Sequence, residues 1–147
     1  MKIAVGSDMN TDLTAFVVKV LQEKGYVVGL FGALAPGEGS DWPAVGATLG
    51  TAVAKGDFDQ GVLFCWTGTG VSIAANKVKG IRAALCTDAE TASGARKWND
   101  ANVLCMSLRL VSAQVATEIL EAWLATEPSE GSDDQACLRY LDFLEGW

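Results

Sequence analysis

Short apolar runs alternate with longer segments of helical spacing along most of this chain of 147 residues. The apolar runs have the length of β-strands and lie at residues 3–5, 26–31, 61–64, 81–85 and 103–105. The segments with helical spacing lie at residues 11–24, 41–54, 71–78, 89–97, 113–125 and 133–144. A repeated strand–helix unit of this kind is typical of an α/β protein.

The fold class follows from the strands, which are apolar on both faces. Such strands form parallel sheets that helices cover on both sides, with right-handed crossovers. We therefore predict that residues 1–147 form a single domain, a Rossmann-like three-layer sandwich with a five-stranded parallel sheet in the order 2-1-3-4-5. Ligands of such sheets bind at the carboxyl ends of the strands where the order reverses, which here is between strands one and three.

The composition limits the partners and the compartment. A net charge of −7 with scattered lysines and arginines disfavours nucleic acid and anionic membranes, so small molecules or copies of the chain are the expected partners. No long apolar segment or leader pattern is present, which predicts a cytoplasmic protein. The four cysteines lack C-x-x-C spacing, which predicts reduced thiols, with Cys86 and Cys105 in the core, and no metal or cofactor.

Two loops are expected to meet at the predicted binding edge. The first follows strand one and contains Asp8, and the second begins at Cys65 and continues as Trp66-Thr67-Gly68-Thr69-Gly70. A loop of small residues between a strand and a helix exposes backbone N–H groups to a ligand. The chain has no histidine, so acid–base chemistry at this edge must use another side chain or solvent.

Cys65 is the candidate catalytic base. The partial positive charge at a helix N-terminus stabilises a thiolate, which can take a proton from a carbon next to a carbonyl while the loop amides hold the enediolate oxygen. The alternative is a buried strand cysteine with no chemical role. Thr67 could relay a proton between adjacent oxygens or only cap the turn, and Asp8 could bind a sugar hydroxyl or its own loop.

The glycines of this loop do not complete a nucleotide-binding motif. Val71 and Ser72 follow Gly70 where a P-loop has lysine and a hydroxyl residue, so the lysine that contacts the phosphates is missing. The first strand–helix turn contains only Gly6, so the dinucleotide fingerprint is missing as well. The loop is therefore interpreted as a site for a smaller ligand.

The same loop is part of a longer pattern. The pattern extends over residues 61–77 and 80–84, and it includes Gly6-Ser7-Asp8, Asp41-Trp42-Pro43, Asn99-Asp100-Ala101-Asn102-Val103-Leu104 and Ala122-Trp123-Leu124. It resembles the ribose-5-phosphate isomerase type B family, which includes galactose-6-phosphate isomerase subunits, over nearly the whole chain. The resemblance implies an aldose–ketose isomerase that works through an enediolate without a metal.

The resemblance also implies roles for individual residues. Cys65 corresponds to the carbon base, Thr67 to the proton relay, and Asp8 and Asn99 to hydroxyl contacts. The backbone amides of the oxyanion site correspond to Gly68, Thr69, Gly70, Val71 and Ser72. The family is dimeric with shared active sites, so we expect a homodimer or a tetramer in which Asn99 and Arg109 of one chain reach Cys65 of the other. The helix at 133–144 is expected at the dimer interface.

The sequence departs from the family at several site positions. The family's Asp-His, Asp-Tyr-Pro, Cys-Gly-Thr and His-Asn-Asp correspond here to Asp8-Met9, Asp41-Trp42-Pro43, Cys65-Trp66-Thr67 and Trp98-Asn99-Asp100. Both functional histidines are absent, and Trp98 replaces the one that opens the sugar ring. The protein therefore uses another group, accepts an open-chain sugar or does not start from a cyclic one. We expect Met9, Trp42, Trp66 and Trp98 to contact the substrate; for the tryptophans, packing in the core or an interface is the alternative.

The family's phosphate clamp is changed too. Asp133 and Cys137 stand where the family has arginines, and only Arg109 keeps its position. A phosphate beside Asp133 would meet like charge. Arg139 could compensate, but a substrate that has no phosphate, or binds it differently, is the simpler interpretation. The two functional hypotheses are thus an isomerase with altered specificity, in which Asp133 contacts the substrate, and a sugar-binding protein without turnover.

Overall fold

The computed structural model describes residues 1–146. Its strands are β1 (Lys2–Ser7), β2 (Val27–Gly32), β3 (Gln60–Cys65), β4 (Ala83–Leu85) and β5 (Val103–Ser107). Its helices are α1 (Asp12–Glu23), α2 (Trp42–Ala54), α3 (Thr69–Asn76), α4 (Ala89–Asn99), α5 (Ala113–Ala125) and α6 (Ser132–Glu145). The predicted alternation is confirmed. None of these helices, all within residues 1–146, is long and apolar enough to cross a bilayer.

Local signals in the sequence set several helix ends. α1 begins with a capping box in which Thr11 and Thr14 bond reciprocally. α4 begins after Asp88, whose carboxylate accepts a hydrogen bond from the Thr91 N–H at 2.7 Å. Gly25 follows α1 with a φ of 89°, a conformation that glycine adopts without strain. These helix boundaries are therefore encoded locally.

The five strands run parallel in one sheet, in the order β2-β1-β3-β5-β4. The fold class is confirmed, but the predicted order 2-1-3-4-5 needs correction, because the last two strands are exchanged. β5 is buried along its whole length and so needs a neighbour on each side, whereas β4 has only three half-buried residues and suits a sheet edge. The order still reverses between β1 and β3, which pair Ser7 with Phe64.

Two hydrophobic cores lie on opposite faces of the sheet. α1, α4 and α5 cover one face, where Phe64 and Trp123 are buried. α2 and α3 cover the other face, where Leu49 is buried. α2 and α3 approach closely at Gly46, since a Cβ there would lie 2.8 Å from the Cβ of Ala74. A sheet with a helical layer on each side is the predicted three-layer sandwich.

α6 is the exception to this layering, since none of its residues is buried. Polar contacts hold its end against the body of the protein. Glu145 Oε1 accepts from the Gly80 N–H at 2.5 Å, and Asp142 lies 3.3 Å from the Arg82 guanidinium. The large apolar side chains of α6 are mostly exposed. A place for this helix at a dimer interface stays a prediction.

Candidate active site

The carboxyl ends of β1 and β3 lie side by side, because these strands pair directly. Asp8 follows β1, and Cys65 is the last residue of β3. A cleft of about 320 Å³ opens at this edge and is lined by Asp8, Trp42, Cys65, Trp66, Thr67, Thr69 and Gly70. The fold thus brings seven of the predicted site residues together where ligands bind in sheets of this type.

Cys65 borders the cleft from the end of the sheet. The residue is 5% exposed and packs in the core beneath α2 and α3. Its carbonyl accepts from the Leu108 N–H at 3.0 Å, which fixes the end of the strand. Cys65 is therefore held at the end of β3, close to the start of α3. Burial raises the pKa of Cys86 to about 12 and also raises the pKa of Cys105, so these core thiols stay protonated.

The loop after Cys65 is anchored to the end of β5. The Trp66 carbonyl accepts hydrogen bonds from the Ser107 hydroxyl at 2.9 Å and from the Arg109 N–H at 3.1 Å. These bonds fix the backbone of Trp66 and leave the residue 56% exposed at the rim of the cleft. We did not predict the buried Ser107; the available signal was a polar residue just beyond the apolar run that ends at residue 105.

Gly68 makes the turn from β3 into α3 possible. Its φ is 77°, and a Cβ there would lie 3.0 Å from the backbone carbonyl carbon of Met106 in β5. Any other residue would be strained and would collide with β5. α3 has no side-chain cap, so the N–H groups of Thr69 and Gly70, which line the cleft, are available to a ligand. Val71 is fully buried and does not line the cleft.

The hydroxyl groups of the loop divide into two sets. Thr67 and Thr69 line the cleft, and their Oγ1 atoms lie 2.8 Å apart in a hydrogen bond. Ser72 does not line it, and its N–H donates to the Gly68 carbonyl at 3.4 Å. The Ser72 N–H, predicted as part of the oxyanion site, is therefore engaged within the first turn of α3.

Trp42 forms one wall of the cleft. Its ring lies over Gly70, where a Cβ would be 2.8 Å from Trp42 Cε3. The residue is 44% exposed, so part of the indole can still contact a ligand. Met9 was expected beside it, but Met9 is exposed and does not line the cleft. The Ser7 hydroxyl holds the Met9 backbone in a turn, accepting from its N–H at 3.1 Å and donating to its carbonyl at 2.6 Å.

The cleft contains an acidic side chain and no basic one. Among the residues that line the cleft, only Asp8 has a side chain that is ordinarily charged at neutral pH. Burial raises the pKa of Asp8 above 3.8, against the opposing effect of a hydrogen bond from its own N–H. Its Oδ1 atom is buried and has no hydrogen-bond partner among residues 1–146, so a ligand hydroxyl is an expected donor. Within the same residues, no group of three His, Cys, Asp or Glu side chains could hold a metal ion.

Besides Met9, Gly68, Val71 and Ser72, four more predicted site residues are absent from the lining of the cleft: Trp98, Asn99, Arg109 and Asp133. Trp98 and Asn99 end α4, which leads to the amino end of β5, so they lie at the opposite edge of the sheet. Asp133 is exposed in the first turn of α6. The backbone N–H of Arg109 bonds to Trp66 of its own chain, because the turn after β5 adjoins the turn after β3. Contact of the Arg109 side chain with a partner's cleft stays a prediction.

Comparison with known proteins supports the family resemblance of the sequence. Residues 3–139 match the model of the ribose/galactose isomerase family. The chain belongs to this family. It is 41% identical over 128 residues to the D-erythrulose-4-phosphate isomerase of Pectobacterium atrosepticum, a match that covers 86% of this chain and 84% of that protein. It is 39% identical over 135 residues to ribose-5-phosphate isomerase B of Escherichia coli, covering 91% and 90%.

A solved structure of the family has the same fold. Ribose-5-phosphate isomerase B of Clostridium thermocellum superposes with a TM-score of 0.90 at 38% identity, covering 99% of this chain and 98% of that one. The family resemblance predicted from the motifs is therefore confirmed, and the protein is an isomerase. The roles of its individual residues, the absence of a metal and the oligomeric state remain predictions.

The buried carboxylate of Asp8 gives a test of the site's electrostatics. A raised folded-state pKa means that ionisation costs stability as pH rises from 3.8 through the folded-state value. We expect Asp8→Asn to raise the free energy of unfolding at pH 7, by an amount that shrinks as the pH falls toward 3.8. Urea unfolding at pH 7 and pH 5 measures this difference. Asp133→Asn, at an exposed position, controls for the lost charge. An unchanged or less stable Asp8→Asn protein at pH 7 would contradict the interpretation.

Proposed function

We propose that this protein is an aldose–ketose isomerase in which Cys65 moves a proton between adjacent carbons of an open-chain sugar derivative. The observation that carries the proposal is the convergence at one cleft of three kinds of group. Cys65 supplies a thiol, Asp8 supplies a carboxylate, and the start of α3 supplies free backbone N–H groups. This is the set that transfer of a proton next to a carbonyl requires.

Each group has a defined task in the proposed reaction. The Cys65 thiolate removes a proton from the carbon next to the carbonyl, and the electron pair moves onto the carbonyl oxygen. The N–H groups of Thr69 and Gly70 stabilise the resulting enediolate. Thr67, paired with Thr69 at 2.8 Å, passes a proton from one oxygen to the other. Cys65 then returns its proton to the neighbouring carbon, so no electron acceptor is consumed. Asp8 accepts a hydrogen bond from a substrate hydroxyl.

The absence of histidine supports a substrate that has no ring to open. Opening a furanose needs a proton donor and a proton acceptor, and this chain has no side chain that ordinarily titrates near neutral pH. D-erythrulose 4-phosphate and its aldose isomer cannot form a furanose, because the oxygen on carbon 4 is esterified. A relative with 41% identity is named for that ketose. We therefore propose a four-carbon sugar derivative blocked at carbon 4 as the substrate.

The charges around the cleft limit where the blocked end of that substrate, its tail at carbon 4, can lie. No lining residue is basic, so an anionic tail has to lie beyond the cleft rather than inside it. Arg109 is beside the rim, since its N–H bonds to the Trp66 carbonyl, and we assign it to that tail. Trp42 and Trp66 supply apolar surface for the carbon chain between the two ends. The exposed Asp133 keeps no assigned role in phosphate binding.

Removal of the Cys65 thiol tests the proposed base. In D₂O the wild-type protein is expected to exchange a substrate C–H of D-erythrulose 4-phosphate for deuterium, as followed by NMR. Cys65→Ala is expected to lower this rate by about 10²–10⁴-fold, the usual contribution of a general base. Cys137→Ala, which removes an exposed thiol, is the matched control and is expected to behave as wild type.

Two results would contradict this assignment. Exchange at the wild-type rate in folded Cys65→Ala would exclude Cys65 as the base. Heat of sugar binding in calorimetry without any exchange by the wild-type protein would favour the second candidate function, a sugar-binding protein. The observation that favours this second candidate is the loss of basic groups from the site, in which Asp8 is the only ordinarily charged lining residue.

We also propose a homodimer with active sites shared between the chains. Trp98 and Asn99 lie at the edge of the sheet opposite the cleft of their own chain, yet their side chains are exposed and free to contact a partner. α6, the C-terminal helix of the single domain, exposes Tyr140 and Phe143 by 64% and 66%. Apolar surface of this kind is typical of an interface between subunits.

Mixing of two inactive variants tests the sharing of sites. We expect Cys65→Ala and Asn99→Ala each to be strongly impaired alone. After subunit exchange at equal concentrations, half of the dimers are hybrids with one intact site, so about a quarter of wild-type activity should return. Mixing Cys65→Ala with the double variant Cys65→Ala/Asn99→Ala is the control and should restore nothing. No recovery with freely exchanging subunits, or full activity of Asn99→Ala, would contradict shared sites.

A further inference from the structure

Asp100 has an unusual backbone conformation directly after Asn99. Its φ is 44°, and it is the only residue other than glycine with a positive φ within residues 1–146. This left-handed conformation ends α4 and turns the chain toward β5. Such a conformation costs on the order of 1 kcal/mol in most residues, and glycine would avoid the cost. Aspartate is one of the few residues besides glycine that adopt this conformation, and its side chain can make contacts that glycine cannot.

Two arginines hold the Asp100 side chain. Arg82 lies 2.8 Å from Oδ2, and Arg96 lies 3.5 Å from Oδ1. Arg82 Nε also donates to the Asp100 carbonyl at 3.1 Å, so both the backbone and the side chain are fixed. The Arg96 side chain is only 8% exposed and the Arg82 side chain 23%, whereas the Asp100 side chain is 37% exposed. Two arginines that share one carboxylate restrict its position more than a single ion pair does. We call Arg82, Arg96 and Asp100 the Asp100 clamp.

The Asp100 clamp connects the end of α4 to its surroundings. Arg96 donates to the Thr126 carbonyl after α5 at 3.4 Å, and its guanidinium lies 5.6 Å from the centre of a Trp123 ring. Arg82 reaches Asp142 of α6 at 3.3 Å. These contacts join the end of α4 to β4, α5 and α6. The residue before Asp100 is thus attached to a rigid support.

Asn99 is the residue that this support places. It lies in the wall of a cavity of about 510 Å³ between α6 and the start of β4, together with Arg82, Leu141 and Leu144. Its side chain is exposed, and the backbone that Asp100 holds sets the point from which the amide extends. A shift of the chain at residue 100 would move the Asn99 amide with it.

We propose that Asp100 is a positioning residue that orients Asn99 toward the active site of the partner chain. The proposal rests on the contribution of Asn99 proposed above. Asp100 does not touch the substrate. Through the Asp100 clamp it fixes the backbone at Asn99, from which the amide extends. Misplacement of a binding group by about 1 Å can cost two orders of magnitude in rate, so a remote carboxylate can have a large kinetic effect.

Three variants separate the positioning effect from a general loss of stability. Asp100→Gly removes the carboxylate but also the backbone strain, so the fold is expected to survive. Asp100→Asn removes the charge but keeps the side-chain shape, and asparagine also tolerates a positive φ. Asp142→Asn removes the charge from the contact of Arg82 to α6 and leaves the Asp100 clamp intact. The kinetics of D-erythrulose 4-phosphate isomerisation are measured for each, and for Asn99→Ala alone and with Asp100→Gly.

The proposal predicts a different change in kcat/KM for each variant. Asp100→Gly lowers kcat/KM by about tenfold or more, Asp100→Asn by less, and Asp142→Asn by less than about twofold. Adding Asp100→Gly to Asn99→Ala produces no further loss, because the carboxylate acts through the amide that is already missing. Wild-type kcat and KM in folded Asp100→Gly would overturn the proposal. A full additional tenfold loss in the double variant would overturn it as well.

A spectroscopic readout decides the question without turnover. The side-chain amide signal of Asn99 in a ¹⁵N–¹H correlation spectrum is assigned by its loss in Asn99→Ala. In Asp100→Gly this signal is expected to shift or split, and in Asp142→Asn to stay in place. An unchanged Asn99 signal in Asp100→Gly overturns the proposal even if the enzyme is impaired. If the wild-type protein fails to turn over the sugar phosphate, the proposed substrate is wrong and the spectrum still tests the clamp.

Discussion

The turn at Gly68 brings the Cys65 thiol and the first N–H groups of α3 to one place. The φ of Gly68 is 77°, and a Cβ at this position would lie 3.0 Å from the Met106 carbonyl carbon. Glycine therefore lets β3 turn directly into α3. The Ser107 hydroxyl then secures the Trp66 carbonyl between strand and turn. The position of the thiol, the free N–H groups and the rim of the cleft all depend on this short, anchored loop.

The charges of the cleft limit which substrates it can bind. Asp8 contributes a buried carboxylate with an unpartnered oxygen among residues 1–146, no cation lines the cleft, and the chain contains no histidine. The proposed proton transfer at carbon uses the Cys65 thiol and N–H donors for an oxyanion, and both groups lie in this loop. Ring opening and phosphate capture need groups that are absent from the cleft. An open-chain substrate with its charge outside the cleft is therefore consistent with the electrostatics.

The sequence was informative where local chemistry decides the structure. The apolar run, the glycines and the polar residues around Cys65 predicted a strand, a turn and a helix N-terminus, and the pairing of β1 with β3 put Asp8 in the same cleft. The order of β4 and β5 was not predicted correctly, because strand order depends on which strand buries more surface in the finished sheet. The bond of the Arg109 N–H to the Trp66 carbonyl was missed for the same reason, since it depends on a contact between distant segments.

The most direct test of the account compares two substrates with the unmodified protein. kcat/KM is measured for D-erythrulose 4-phosphate, which has no furanose form, and for D-ribose 5-phosphate, which is mainly a ring. A site with no group for ring opening is expected to prefer the four-carbon sugar by about a hundredfold or more, the usual range of one acid–base group. Equal or faster turnover of D-ribose 5-phosphate would contradict the claim that the missing histidines reflect a ring-free substrate.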